Sequence, residues 1–382
     1  MKFLDVFALE LKAIFTDVAI VLTIIGGVIL YGFLYPQPYA KESVSALSVS
    51  MVDLDKSELS REISFNLNAT PQVELVRNDM SLKDAQDALV RGEIKAIVVI
   101  PAHFSRDVIL GVTPTIAVGA DSSYFLIYGA VLEGAMKSVL TQSAKIKIAS
   151  LLKSQTPLSE AKLAYTPYTL ESINLFNKDN SYTQYVIPAV FVLILHQTML
   201  IGLGILGGGV NESPKRRQEL QNAASYQIIV SRLIIFGSIF FVHMLFYFGF
   251  TFETFSITHI GSIYNILSFG VLFIFTTLMF GIFLGTLFST REIATPVVLF
   301  SSMPLIFSIG FIWPLEAIPA FIQELSYLVP VTPAIQGFLR LNQMGASFDT
   351  ILDSYMLLSI QAAFYTLLAF GGLWFRKAKR RP

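Results

Sequence analysis

Four histidines, two strand-end aspartates and one dense run of charge are the side chains on which chemistry could rest. The histidines are His103, His196, His243 and His259. His196 and His243 fall inside long apolar runs, where an ionisable group is first read as a proton-relay candidate. Neither has a charged partner within its run, so a neutral imidazole hydrogen-bonded between helices is the simpler reading. His103 has no ligand partners nearby and reads as a surface helix residue. Asp53 and Asp121 each close a candidate strand and could form a carboxylate pair, yet turn formation and capping explain them more simply. The third feature is NESPKRRQELQ, which sets Glu212, Lys215, Arg216, Arg217 and Glu219 between two apolar runs. No G-x-x-x-x-G-K-[ST], G-x-S-x-G or H-E-x-x-H occurs, so the chain has no P-loop, nucleophile elbow or zincin helix of its own. With no cysteine, disulfides, thiolate metal sites and Cys nucleophiles are excluded. An enzyme reading has no constellation to support it.

The elements that must position these residues follow from composition. Of 382 residues, 54% are apolar and 14% charged, with a net charge of zero, against roughly 25% charged in a soluble domain. The neutral balance argues against a nucleic-acid binder, which releases counterions through a basic surface. Six charge-free runs are long enough for the ~20 residues that a membrane helix needs: 18–40, 181–211, 233–252, 254–290, 293–315 and 354–375. The expected order is an interfacial helix over 1–17, a first span at 18–35, an inserted domain over 36–181, and spans at 182–210, 226–252, 263–288, 293–312 and 352–375. A loop at 211–225, outer re-entrant helices at 313–348 and a basic tail at 376–382 complete it. Lys215, Arg216, Arg217, Arg291 and the final RKAKRRP gather on one side of the spans, whereas the loop 251–262 has no Lys or Arg. The positive-inside rule therefore places both termini in the cytoplasm and 36–181 outside.

Residues 36–181 hold 14 Lys/Arg and 16 Asp/Glu, the signature of a water-facing domain. Strands are expected at 44–52, 73–76, 96–100 and 115–119. Helices are expected at KSELSREISFNLN, at LKDAQDALVRG after the Ser81 cap, at HFSRDVIL, and over 122–155. The alternation predicts an α/β domain.

Within the spans, charge is nearly absent. Arg232 and Glu253 sit at the edges of the third. An ion-coupled transporter keeps carboxylates or cations at mid-membrane, so the energy for any transport should come from a partner. Gly281 and Gly285 form a GxxxG suited to close helix packing. Between the fifth and sixth spans, Pro314, Pro319, Pro330 and Pro333 break an apolar stretch in which Ile318, Phe321, Ile322, Leu325 and Leu328 share a helix face. A short helix or helix pair dipping into the outer leaflet is predicted.

Four stretches resemble permease subunits of the type-2 ABC exporter superfamily: MVDLDKSELSREI, GEIKAIVVIPAHFSRDVILG, Asp121–Ser122, and FIWPLEAIPAFIQELSYLVPVTPAIQGFLRLNQMG. The resemblance covers nearly the whole chain. It implies an α-helical membrane protein with six transmembrane helices, an inserted α/β extracytoplasmic domain and the type-2 ABC exporter transmembrane fold. It implies no cofactor on this chain, with ATP and Mg bound by a cytoplasmic ATP-binding cassette subunit. A second permease subunit, identical or different, and a periplasmic adaptor are further partners, in the bilayer of the inner membrane. On this resemblance Glu212, Lys215, Arg216, Arg217 and Glu219 face the ATPase. Trp313, Pro314, Glu316, Pro319, Pro330, Pro333 and Arg340 form the outer gate. The cargo is amphipathic, drug-like or lipid-like. The family's E-x-x-x-G-T segment departs here, because Glu212 and Glu219 remain without the Gly-Thr. A secondary transporter and a membrane receptor with an outer sensing domain are the rival classes.

Overall fold

The computed structural model describes residues 1–39, 45–79, 81–120, 125–153, 157, 158, 160, 176 and 181–378. The chain forms two compact units, one from Met1–Ala40 with Asn174–Pro382 and one from Lys41–Ile173.

The first unit begins with α1 (Phe3–Phe15). The Asp5 carboxylate accepts the Lys2 amide at 3.1 Å, and an acidic group in the first turn suits the positive helix start. Val6, Glu10 and Ile14, spaced four apart, form its buried stripe. Asp17 caps α2 (Val18–Tyr39) by accepting the Ala19 amide at 3.0 Å. Over Leu22–Gly27 this helix widens to π geometry, a distortion that often marks a functional segment.

The second unit is built on strands β1 (Leu47–Asp53), β2 (Val73–Asn78), β3 (Ala96–Ile100) and β4 (Ala117–Ala120). Their order is β2-β1-β3-β4, with β1 parallel to β2 and β3, and β4 antiparallel to β3. Helices α3 (Glu58–Asn68), α4 (Leu82–Val90), α5 (Phe104–Ile109) and α6 (Phe125–Lys153) lie between and after the strands. Strand alternation sends Val49, Met51, Val98 and Ile100 to one face, under Ile63, Leu67, Phe104 and Val131. Val52 and Ile97 face the other way, under Ala85 and Ala88 of α4. Ser57 and Ser81 cap α3 and α4. The Asp53 carboxylate accepts the Asp55 and Lys56 amides and the Ser60 hydroxyl, so it shapes the β1–α3 turn. Asp121 and Ser122, the start and end expected for the long helix, and the tail from residue 379 lie outside the described residues.

The chain re-enters the first unit at α7 (Tyr182–Gly208). After α8 (Pro214–Gln221) come α9 (Ser225–Thr254), α10 (Ile263–Leu287) and α11 (Ala294–Ser308). Last are α12 (Ala320–Ser326), α13 (Val331–Phe338) and α14 (Phe348–Ala378). The most buried of the long helices is α7. It packs on α10, where a Cβ at Gly207 would run into the Gly285 carbonyl oxygen and one at Gly281 would stand 2.7 Å from Leu203. The two helices therefore meet backbone to backbone.

Among the described residues five helices, α2, α7, α9, α10 and α14, are long and apolar enough to cross a membrane. The fifth run, expected to span over 293–312, holds the 15-residue α11 instead. Pro304 lies within it, removing a backbone donor. Gly310 then turns the chain at φ +97°, where a Cβ would meet Leu315 at 2.7 Å.

The segment after α11 holds two short helices, α12 and α13. Of the proposed shared face, Phe321, Leu325 and Leu328 are exposed, and α12 has only seven residues. The buried piece is α13, which continues as a π-turn over Leu339–Gln343. The Tyr327 carbonyl accepts from Gln361 at 2.7 Å and the Leu328 carbonyl from the Tyr365 hydroxyl. Side chains of α14 thus satisfy the broken backbone.

Candidate functional site

The residues that converge most tightly lie where α1, α8 and α9 meet. Glu10 is fully buried. Its carboxylate accepts Arg232 Nε and Nη2, each at 3.1 Å, a two-pronged pairing that fixes orientation as well as charge. Arg216 of α8 adds a third contact to Glu10 at 3.4 Å. One carboxylate therefore joins three helices. Burial lowers the Arg216 guanidinium from its ordinary value and Glu10 opposes the shift; a guanidinium stays charged regardless.

A second knot lies beside the α7–α8 turn. Arg291 reaches Asp17 at 2.6 Å and Glu212 at 3.2 Å, and its amide donates to Glu212 at 2.8 Å. Asn211 donates to the Ser289 carbonyl at 2.7 Å, and Arg217 donates to the Asn211 carbonyl. Ser213 and Pro214 start α8: the serine accepts an orphan amide, and proline at the first helical position needs none. The expected loop at 211–225 is thus a capped helix.

The sequence-derived residues separate accordingly. Arg216, Arg217 and Glu212 enter the two knots. Lys215 is exposed and Glu219 half-buried, and neither joins an ion pair among the described residues. Of the outer-gate set, Trp313, Pro314, Glu316 and Pro319 are exposed, Pro330 and Pro333 are buried, and Arg340 pairs with Asp353 at 3.0 Å.

Glu10 was not among the sequence candidates. It reads as a charge interrupting an apolar helix, although its place on the Val6–Ile14 stripe is the available signal. Arg232, expected at a span edge, is buried instead. His196 is buried in α7 beside Phe280, and neither ring nitrogen has a partner, contrary to the expected interhelical hydrogen bond. His243 stands edge-on to Phe240. Among the described residues no three His, Asp or Glu gather as a metal site requires.

A cavity of about 430 Å³ lies between α2, α7 and α11, with Thr23, Tyr31, Tyr35, Gln197 and Thr198 as its polar lining among apolar side chains. Its size and few polar groups fit a small amphipathic ligand. The π segment of α2 passes along it.

A helical membrane unit with broken helices, a capped polar helix between spans and a separate strand-containing unit is the organisation of a transporter permease. The chain belongs to the ABC-2 family of transporter proteins, whose profile matches residues 18–370. It is similar to the inner membrane transport permease YhhJ of Escherichia coli strain K12 and to that of Shigella flexneri. Each is 23% identical over 336 residues, covering 85% of this chain and 84% of the relative. Membership implies a membrane and an ATP-binding cassette partner.

Proposed function

We propose that the chain is one permease half of an ATP-driven exporter of the inner membrane. Both termini face the cytoplasm and residues 36–181 face outward. A separate cytoplasmic ATPase subunit binds ATP and Mg, and a second permease copy, identical or different, completes the path. The observation that carries this reading is the Glu10 joint. Force applied to α8 reaches α1 and α9 through Arg216, Glu10 and Arg232 without a flexible step. The exposed Lys215 and half-buried Glu219 remain on α8 to meet the ATPase. The cavity between α2, α7 and α11 is the substrate face, taking an amphipathic drug-like or lipid-like cargo. Outer closure falls to the region from Trp313 to Arg340, and the second unit offers a surface to a periplasmic adaptor.

The test is co-purification with the ATPase subunit, followed by ATP hydrolysis and export in vesicles. Glu10→Gln is expected to leave hydrolysis running while export drops at least tenfold. Co-purification without ATPase, or export indifferent to both Glu10→Gln and Glu212→Gln, overturns the reading.

A further inference from the structure

Where α8, α9 and the end of α14 meet, Arg217, Arg232, Arg376 and Lys377 line a cavity of about 30 Å³ with Gln221, and no carboxylate lines it among the described residues. Arg232 is neutralised by Glu10 from outside the cavity. Arg217 donates to the Asn211 carbonyl, yet its Nε is buried without a partner. Lys377 donates to the Ala223 carbonyl. Neither Arg217 nor Lys377 enters an ion pair among the described residues. Arg376 donates to the Gly285 and Phe288 carbonyls at 3.1 and 3.3 Å. Backbone carbonyls satisfy hydrogen-bond geometry but not charge, and cations gathered in a confined space are costly without a counter-charge.

We infer that this cavity binds a phosphate group. Guanidinium forks and an ammonium are the donors that a tetrahedral oxyanion fills. A cavity of about 30 Å³ exceeds the ~10–15 Å³ that one water needs, which suits a single small polyatomic anion and excludes a nucleotide base or sugar. Its place at the end of a membrane-length helix is the level of lipid headgroups, and basic pockets between such helices take acidic ones. Lys379, Arg380 and Arg381 follow directly in the sequence. The phosphate comes from an acidic lipid or from solution. Once seated, it fastens α8 to α14. The inference concerns binding alone and stands whether or not α8 meets an ATPase.

The test uses the full chain in neutral detergent, with thermal unfolding followed by Trp fluorescence and no ATPase present. Phosphatidylglycerol and inorganic phosphate are titrated separately, against phosphatidylcholine and chloride at equal ionic strength. Saturating ligand is expected to raise Tm by about 2–4 °C. Half-saturation is expected to weaken at least tenfold in Arg217→Gln/Lys377→Gln and to hold in Lys12→Gln, an exposed cation of α1. Gln221→Glu keeps all four cations of the cavity and supplies a carboxylate in place, so it should lose the response. Stabilisation by phosphatidylglycerol alone assigns the lipid as source, and stabilisation by inorganic phosphate assigns the free ion. No shift with either overturns the inference. So does an equal shift with chloride, or a wild-type response in Gln221→Glu.

Discussion

Two ionic clusters in this protein use the same side chains to different ends. In the first unit Glu10, Arg232 and Arg216 are sealed off, with side-chain exposures of 0%, 3% and 16%. In the second, Arg77 pairs with Asp79 at 2.7 Å and with Glu93 at 2.5 Å, and Arg91 pairs with Glu93 at 2.6 Å. There only Asp79 is well covered, at 8% exposure, and Ser50 also donates to it at 2.6 Å. Solvent screens the second cluster and tolerates the loss of a member. The first has no water to replace a missing partner, so its geometry is fixed wherever the protein is folded. Identical chemistry acts as a rigid coupling in one place and as surface trim in the other, and burial alone separates the two.

The largest expected effect tests that contrast directly. Glu10→Gln leaves Arg232 buried and uncompensated and should cost about 3–5 kcal/mol, read as a fall in unfolding temperature in detergent. An unchanged Tm would mean that water reaches the joint. Glu10→Leu/Arg232→Met should regain most of that stability, since an apolar pair of similar volume often matches a buried ion pair. It should not regain export, because Arg216 then holds nothing; recovered transport would remove the joint from the mechanism. Asp79→Asn should cost about 1–2 kcal/mol, seen as faster amide exchange in β1 and β2.

The same carboxylate gives the acid response a sign. Burial raises the Asp79 pKa, but hydrogen bonds from Ser50 and Arg77 outweigh it and hold the group below its ordinary range. Its contribution is therefore complete above the unfolded value of about 3.9 and is lost as pH falls through the lower folded value. Exchange in β1 and β2 should accelerate over that acid window in the wild type, and much less in Asp79→Asn. Arg91→Gln removes an exposed partner and should leave Tm and exchange unchanged. A measurable loss there would show that the second cluster is better shielded than its exposure indicates.

The apolar runs were readable because crossing a bilayer requires length and the absence of charge, both properties of the chain taken locally. Run length did not reveal where a helix stops. Ile293–Leu315 is charge-free, but Pro304 and Gly310 end its helix at Ser308. The strands at 73 and 96 could be located from β-branched residues bounded by turns, and the cap at Ser81 agrees with the structure. The Glu10 joint could not be read, because its partner lies 222 positions away and only the folded packing selects Arg232. Pro314, Pro319 and Pro330 each mark the start of an element, whereas Pro333 lies inside α13, and none of the four foretold burial. Pro330 and Pro333 follow a turn whose Tyr327 and Leu328 carbonyls are held by Gln361 and Tyr365, contacts again distant in the chain.

The glycine contact between α7 and α10 bears on how the molecule can move. Packed helices slide by small steps when a layer of side chains between them can exchange rotamers. At Gly207 and Gly285 that layer is missing, and a main-chain carbonyl sits where a side chain would begin. The pair has no lubricant and behaves as a single spar. Any stroke that opens the cavity must swing α2 and α11 against this spar, which leaves the widened turn of α2 at Leu22–Gly27 as the place where the backbone can give.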